Sequence, residues 1–228
     1  MDLAQPTQES NVTVIDLGLE SYNLTLKNQE KLLERRVNDE IGDTLLLVQH
    51  TPVYTGGATV DSPLEHFKDK NVLDVIKFVK VNRGGLVTYH GPGQLVAYPI
   101  FKLPLNGIAK LIDFMETAVI EVIREYGING YSRKDEEGNK RGVWVDVNGI
   151  QKKICSIGLG TRTDQEEIVT MHGLALNVNT NLIYFSYIKP CGYDYDVMTS
   201  MHDVLKQHIN FEAVKTKVGE KMQQWKQH

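Results

Sequence analysis

Cysteine is scarce in this chain: Cys155 and Cys191 are the only two among 228 residues. Two thiols cannot form a disulfide framework in a chain of this size, so a reducing compartment, the cytoplasm, is the expected location. No apolar run approaches the roughly 20 residues needed to span a bilayer. The first twelve residues, MDLAQPTQESNV, have no Lys or Arg and no apolar core, which excludes a secretory signal and argues against a mitochondrial transit peptide. Prolines number only 7 and no low-complexity block occurs, so disorder is not expected. A zinc site drawn from His90, His172, Cys155 and Cys191 has no CxxC, HxxxH or HExxH spacing behind it, and neither metal nor other cofactor is expected. A net charge of −4 and a pI near 6.0 give no reason to expect nucleic acid or an anionic membrane as partner.

What is present is ordinary globular composition, 41% hydrophobic and 24% charged, in a length that suits one domain spanning 1–228. Val12 to Leu17 reads as a strand and Ser21 to Asn38 as a charged helix with Leu24, Leu32, Leu33 and Val37 as its apolar positions. Thr44 to Val48 reads as a buried strand running into QHTPVYTGGA, where Pro52 and the Gly56-Gly57 pair predict a loop, and Val75 to Val81 as a further strand. From Ile108 the apolar residues Leu111, Ile112, Met115, Val119, Val122 and Ile123 recur at helical spacing, with Asn106 as N-cap and Gly127 as the stop. Asn148-Gly149 between β-branched runs predicts a type I′ hairpin. A two-residue loop sets Val147 opposite Ile150, Val145 opposite Lys152 and Trp144 opposite Lys153, so one face carries Trp144, Asp146, Gln151, Lys153, Cys155 and Ile157. Ile168 to Val178 alternates, with Ile168, Thr170, His172, Leu174, Leu176 and Val178 expected on one side. A closing helix is predicted over Phe211 to Trp225. Strand runs broken by a few helices, with hairpins rather than regular βαβ crossovers, indicate an α+β fold with a largely antiparallel or mixed sheet.

Chemistry concentrates in Arg83 to Ile100, RGGLVTYHGPGQLVAYPI, where two alternating strands flank a Gly-Pro-Gly turn. Glycine lets backbone approach a ligand and expose N–H groups, which suits a thioester carbonyl or a phosphate; a strained hairpin is the plainer alternative. His90 at the turn could orient substrate, or be satisfied by backbone. Cys191 follows a proline and precedes a glycine, an accessible setting for a nucleophile, whereas Cys155 lies inside the strand KKICSIGLG and reads as packing. From Arg133 to Lys153 the chain is mildly basic and could meet an acidic partner, though a solvated loop followed by a hairpin accounts for the composition as well.

RGGLVTYHGPGQLVAYPI, then GVWV, KKICSIG, HGLALNV and PCG, in this order across Thr44 to Ser200, resemble the lipoyl(octanoyl) transferase family. QHTPVYTGGA is similar to the family's upstream segment, with Gly56-Gly57-Ala58 where Leu-Gly-Arg is usual. The resemblance implies a biotin/lipoate protein ligase-like catalytic domain, a mixed curved sheet flanked by helices. It implies a catalytic dyad of Cys191 and Lys153, and a substrate pocket made by Arg83, Gly84, Gly85, Thr88, Tyr89, His90, Gly91, Gly93 and Gln94 with Ser156, Ile157, Gly158, His172, Gly173, Leu174 and Ala175. Backbone of Arg83 to Gly85 and Gly158 to Gly160 would frame the acyl chain and the oxyanion. The implied reaction moves an octanoyl group from acyl carrier protein to a lysine of a lipoyl domain, the first step of endogenous lipoate synthesis, through an acyl-Cys191 thioester. The implied acceptors are lipoyl domains of 2-oxoacid dehydrogenases and the glycine cleavage H protein. Such carriers are typically acidic, giving Lys134, Lys140 and Arg141 a possible role. Two alternatives share the fold: an ATP-dependent lipoate or biotin protein ligase, which would show its own adenylate loop where this chain has TYHGPGQ, and an amidotransferase moving the acyl group between lipoyl domains.

Overall fold

The computed structural model describes residues 12–133, 141–164, 166–189 and 195–226. The strands are β1 (Thr13–Glu20), β2 (Thr44–His50), β3 (Val53–Gly56), β4 (Phe78–Lys80), β5 (Thr88–His90), β6 (Gln94–Ile100), β7 (Lys102–Pro104), β8 (Gly130–Ser132), β9 (Gly142–Val147), β10 (Ile150–Asp164) and β11 (Glu167–Asn177). The helices are α1 (Tyr22–Val37), α2 (Ile108–Arg124), α3 (Met201–Leu205) and α4 (Phe211–Met222). An eight-stranded sheet runs β1-β2-β6-β11-β10-β9-β8, with β7 also on β11; a small sheet runs β4-β3-β5. In the large sheet β1 pairs β2 in parallel and the other pairs are antiparallel, so it is mixed and the fold is α+β.

The central strands are apolar at consecutive positions because both faces of the sheet are covered. On one face Leu45, Leu47, Leu95, Ala97, Leu174 and Leu176 pack with Leu111, Met115, Val119 and Val122 of α2 and Val214, Val218 and Met222 of α4. On the other, Leu46, Val48, Val96, Tyr98 and Ala175 form a second cluster closed by Leu32 of α1. The small sheet builds a third core from Tyr54, Phe67, Val87, Tyr89, Phe185 and Met198. Among the described residues no helix is long and apolar enough to cross a membrane.

Several sequence expectations are corrected. QHTPVYTGGA contains β3 rather than being loop throughout, and only Phe78–Lys80 of the expected Val75 to Val81 strand pairs, Val75 being 85% exposed. Helix α1 buries Tyr22, Thr25, Gln29 and Leu33 and leaves Leu24 exposed, because the surface it covers contains polar groups that Thr25 and Gln29 satisfy. Gly107 stands at the N-cap of α2, not Asn106, and α4 ends at Met222, with Trp225 beyond it packing on Phe101 and Phe114. The hairpin has the expected register, with Asn148 and Gly149 both at positive φ, through Trp144 opposite Lys153. Beyond it a bulge intervenes: Cys155, not Ile154, faces Val143. The extra residue reverses the alternation, so Cys155 and Ile157 join the α2-side core with Val143 and Val145 instead of sharing the Lys153 face.

Candidate functional site

A small solvent-open cavity of about 40 Å3 lies where the first residue of α1 and the 83–90 segment meet β6, β10 and β11. Arg83, Gly84, Gly85, Thr88, His90, Ser156, Ile157, Gly158, His172, Gly173, Leu174 and Ala175 line it, joined by Tyr22, Val96 and Tyr98. A wider groove of about 1250 Å3 beside β7 gathers the mixed charges of Asp39, Lys102, Lys110 and Glu167 and contains none of the motif residues; the smaller cavity, walled by buried imidazoles, is the functional candidate. Val96 and Tyr98 follow from the alternation of β6, on the face opposite Leu95 and Ala97, and could have been read from it. Nothing local to the sequence marks Tyr22.

Four expected pocket residues stand outside the cavity lining. Tyr89 belongs to the small-sheet core, stacked on Tyr184 with ring centroids 4.8 Å apart, and a Cβ on Gly91 would come within 2.0 Å of its hydroxyl oxygen. Gly93 is a turn residue whose N–H donates to Gln49 Oε1 at 2.8 Å and whose carbonyl accepts from Val178 and Asn179. Gln94 is buried behind the wall: its Oε1 accepts from His90 Nδ1 at 2.7 Å, and its Nε2 donates to Tyr89 O and to Asn177 Oδ1 at 2.9 Å.

That amide fixes the His90 tautomer. With Nδ1–H given to Gln94, Nε2 is the acceptor, and Thr55 Oγ1 stands 3.3 Å from it. Arg83 Nη2 donates to Thr55 Oγ1 at 2.8 Å and to the carbonyls of Thr55 and Leu86, while Nη1 donates to Gly84 O, so the guanidinium staples the glycine-rich segment to β3. The backbone N–H of Arg83 donates to Val81 O and that of Gly84 to Leu159 O, which removes both amides from the expected oxyanion donors. In the upstream segment Gly57 stands where Leu-Gly-Arg also has glycine, and a Cβ there would meet Gly85 O at 1.9 Å; at Gly56, where leucine is usual, a Cβ would meet the Phe78 ring at 2.6 Å.

The second imidazole, His172, does not follow the alternation of β11. Its φ of +58° turns the side chain away from the Leu174 core and onto Tyr98, 6.2 Å between ring centroids, at the cavity wall. Both ring nitrogens are buried without a hydrogen-bond partner among the described residues, and the backbone N–H donates to Gln29 Oε1 at 2.7 Å. Burial, then the nearby Arg83 charge, pushes its pKa down to about 3. Burial holds His90 well below the ordinary value, helped by His50 and Arg83. His50, against Tyr98 Oη at 2.8 Å, falls to about 4 by burial. Apart from Arg83, whose guanidinium is bound to Thr55, Gly84 and Leu86, the polar walls of the cavity are neutral imidazoles and phenols, surfaces that accept an uncharged chain.

Lys153 is 2% exposed, with Nζ 5.4 Å from the Trp144 ring centroid. The Arg133 guanidinium lies 4.8 Å from that ring. The Lys153 backbone bridges to Met198, and the Lys153 carbonyl accepts from Thr199 N at 3.0 Å. After the bulge the residues facing its way are Ser156, Gly158 and Gly160, of which Ser156 and Gly158 line the cavity. Lys152, its neighbour, points instead to Asp196. Cys191, with Lys134 and Lys140, lies outside the described residues. Cys155 is fully buried, its thiol pushed up to about 12 by burial, and stands as packing. Arg141 pairs with Asp113 at 2.5 Å and with the buried carboxylate of Glu116, so it serves the fold before any partner. Among the described residues no three His, Cys, Asp or Glu side chains converge as metal ligands.

The lipoyl protein ligase A/B catalytic domain model matches residues 21–223. Octanoyltransferase of Caldicellulosiruptor saccharolyticus is 40% identical over 214 residues, covering 91% of this chain and 86% of that relative. Octanoyltransferase of Syntrophotalea carbinolica is 39% identical over 205 residues, 89% of each. In fold the chain is similar to a lipoate-protein ligase A bound with ATP, TM-score 0.65 at 15% identity over 94% of this chain and 84% of that one. It is similar also to a bi-partite lipoate protein ligase of Thermoplasma acidophilum, TM-score 0.64 at 15% identity over 94% and 82%. With the match running from the N-cap of α1 past the end of α4, the chain belongs to the lipoyl protein ligase A/B catalytic domain family.

Proposed function

We propose that this chain carries an octanoyl group from acyl carrier protein to a lysine of a lipoyl domain, by way of a thioester on Cys191. It is an acyltransferase, as its curated relatives are. The observation that carries the finer reading is Lys153: a buried lysine on the strand that walls the cavity, set three residues before the first lining residue of that strand, Ser156. Burying a lysine costs stability unless it is paired, which makes one held beside a cavity a candidate for chemistry.

The steps close without an external energy source. The Cys191 thiolate attacks the carrier's thioester carbonyl, forming acyl-Cys191 and expelling the carrier thiolate, which takes the proton of cationic Lys153. The acceptor amine then attacks acyl-Cys191; neutral Lys153 receives the amine's proton, and the Cys191 thiolate leaves. Thiolate and ammonium are both restored, and no ATP is consumed. The acyl chain lies against Tyr22, Val96, Tyr98 and Leu174. Burying its six methylenes contributes about 5 kcal/mol at ~0.8 kcal/mol each. The acceptors are lipoyl domains such as those of 2-oxoacid dehydrogenases and the glycine cleavage H protein, and the setting proposed is the cytoplasm.

Incubating the protein with octanoyl acyl carrier protein, then mapping mass by peptide, tests the reading. An octanoyl adduct on Cys191 that disappears on adding a lipoyl domain is expected; an adduct on Cys155, or none, overturns it. Transfer that requires ATP and free octanoate would instead identify ligase chemistry, and an octanoylated lipoyl domain acting as sole donor would identify an amidotransferase. Lys153→Met is expected to slow both half-reactions.

A further inference from the structure

We propose that Asn177, with Gln94 behind it, is a positioning residue that couples the cavity wall to Lys153. This rests on the reading of Lys153 as the proton-transfer group. Asn177 is fully buried at the end of β11 and faces away from solvent into a run of hydrogen bonds. Its Nδ2 donates to Thr199 O at 2.9 Å, and the N–H of Thr199 donates to Lys153 O at 3.0 Å. Its Oδ1 accepts from Gln94 Nε2, whose other end holds His90 at 2.7 Å. His90, Gln94, Asn177, Thr199 and Lys153 are all buried.

The geometry gives this run a task beyond filling hydrogen bonds. Thr199 lies on no strand of either sheet, so the 198–199 segment depends on local tethers for its place beside β10. Beside the burial of Met198 and the contact of Thr199 Oγ1 with Asp203 Oδ2 at 3.4 Å, two hydrogen bonds tie it to the large sheet: the Thr199 N–H to Lys153 on one side and the Asn177 amide on the other. Gln94 then relates the same amide to His90, which lines the cavity. The amide orientations are determined by their partners: Gln94 Nε2 faces two carbonyl oxygens and Oε1 faces an imidazole N–H.

Asn177→Asp tests this, because it keeps the volume and the acceptor toward Gln94 but sets a carboxylate oxygen against Thr199 O. We expect both half-reactions to slow by about tenfold or more, as a misplacement of around an ångström does. The KM for the acyl carrier should stay within about twofold, the pH profile of the second half-reaction should shift, and exchange of the Thr199 amide proton should accelerate. Wild-type rates and pH profile per folded molecule, with only a lowered Tm, would overturn the proposal and leave Asn177 a structural residue. If Asn177→Asp yields no folded protein, Gln94→Glu decides by the same criteria, since it keeps an acceptor for His90 and loses the donor to Asn177. Should the wild-type protein form no octanoyl adduct, the proposed function fails, while Thr199 amide exchange still reports whether the tether exists.

Discussion

Lowering the pH from about 7 to about 5 should remove a large part of this protein's stability, and three histidines set the amount. His50, His90 and His172 are buried and held neutral, with pKa values of about 4 for His50, about 3 for His172 and well below the ordinary 6.5 for His90. The unfolded chain binds protons first, so the stabilisation from keeping these rings neutral is complete above about pH 6.5 and is lost as the pH falls toward the folded values. Between about pH 7 and 5 each ring gives up about 2 kcal/mol, and the three together about 6 kcal/mol, comparable with the whole stability of many domains. Paired carboxylates such as Asp16 and Asp39 have lowered pKa values and act only below this window, so they do not obscure it. Urea unfolding followed by tryptophan fluorescence should show a slope near three protons between about pH 6 and 5, roughly 4 kcal/mol per pH unit. His172→Gln should remove about one of the three. A slope below one proton, or a slope unchanged in His172→Gln, would refute the assignment of these rings as buried and neutral.

The architecture was legible where physics is local. Periodicity located α2 because an amphipathic stripe has one solution, and Asn148-Gly149 gave the hairpin register because two positive-φ residues in a two-residue loop admit little else. The family resemblance pointed to Lys153, and the register put it, and not Lys152, on the Trp144 face; Lys152 turns to Asp196. What failed failed at irregularities. The bulge after Lys153 inserts one residue and exchanges the faces of Cys155 and Ser156, an event that no alternation pattern announces. The left-handed His172 does the same to β11, since nothing in HGLALNV says which residue departs from extended geometry. His172 lines the cavity and the bulge immediately precedes Ser156, which also lines it; a strand bent out of its regular pattern there presents a polar group to the cavity. Polar positions of α1 were also hidden: Gln29 and Tyr22 read as surface until β11 and the cavity are in place beside them.

Two further perturbations separate causes that the sequence confounds. Arg141→Gln should cost about 2 kcal/mol in urea unfolding, by taking the guanidinium from buried Glu116, and should leave the KM for acyl carriers unchanged; a raised KM with unchanged stability would make Arg141 a docking residue instead. Gly57 and Gly149 are both irreplaceable by alanine, for opposite reasons. A Cβ on Gly57 would stand 1.9 Å from Gly85 O and 2.8 Å from Arg83 O, both backbone atoms, so the strand and the glycine-rich segment must separate. Gly149 has open space around it but φ of +79° in the hairpin turn, where only the dihedral is at stake. Gly57→Ala should therefore cost about 3 kcal/mol, the upper part of the overpacking range, and any larger side chain at least as much. Gly149→Ala should cost about 1–2 kcal/mol, and Gly149→Asn much of that less, because asparagine tolerates the left-handed region. Urea unfolding of the three variants decides the matter. If Gly149→Asn is as damaging as Gly149→Ala, the dihedral is not the cause, and if Gly57→Ala is neutral, the close approach of β3 to the 83–85 segment is not what holds the cavity mouth.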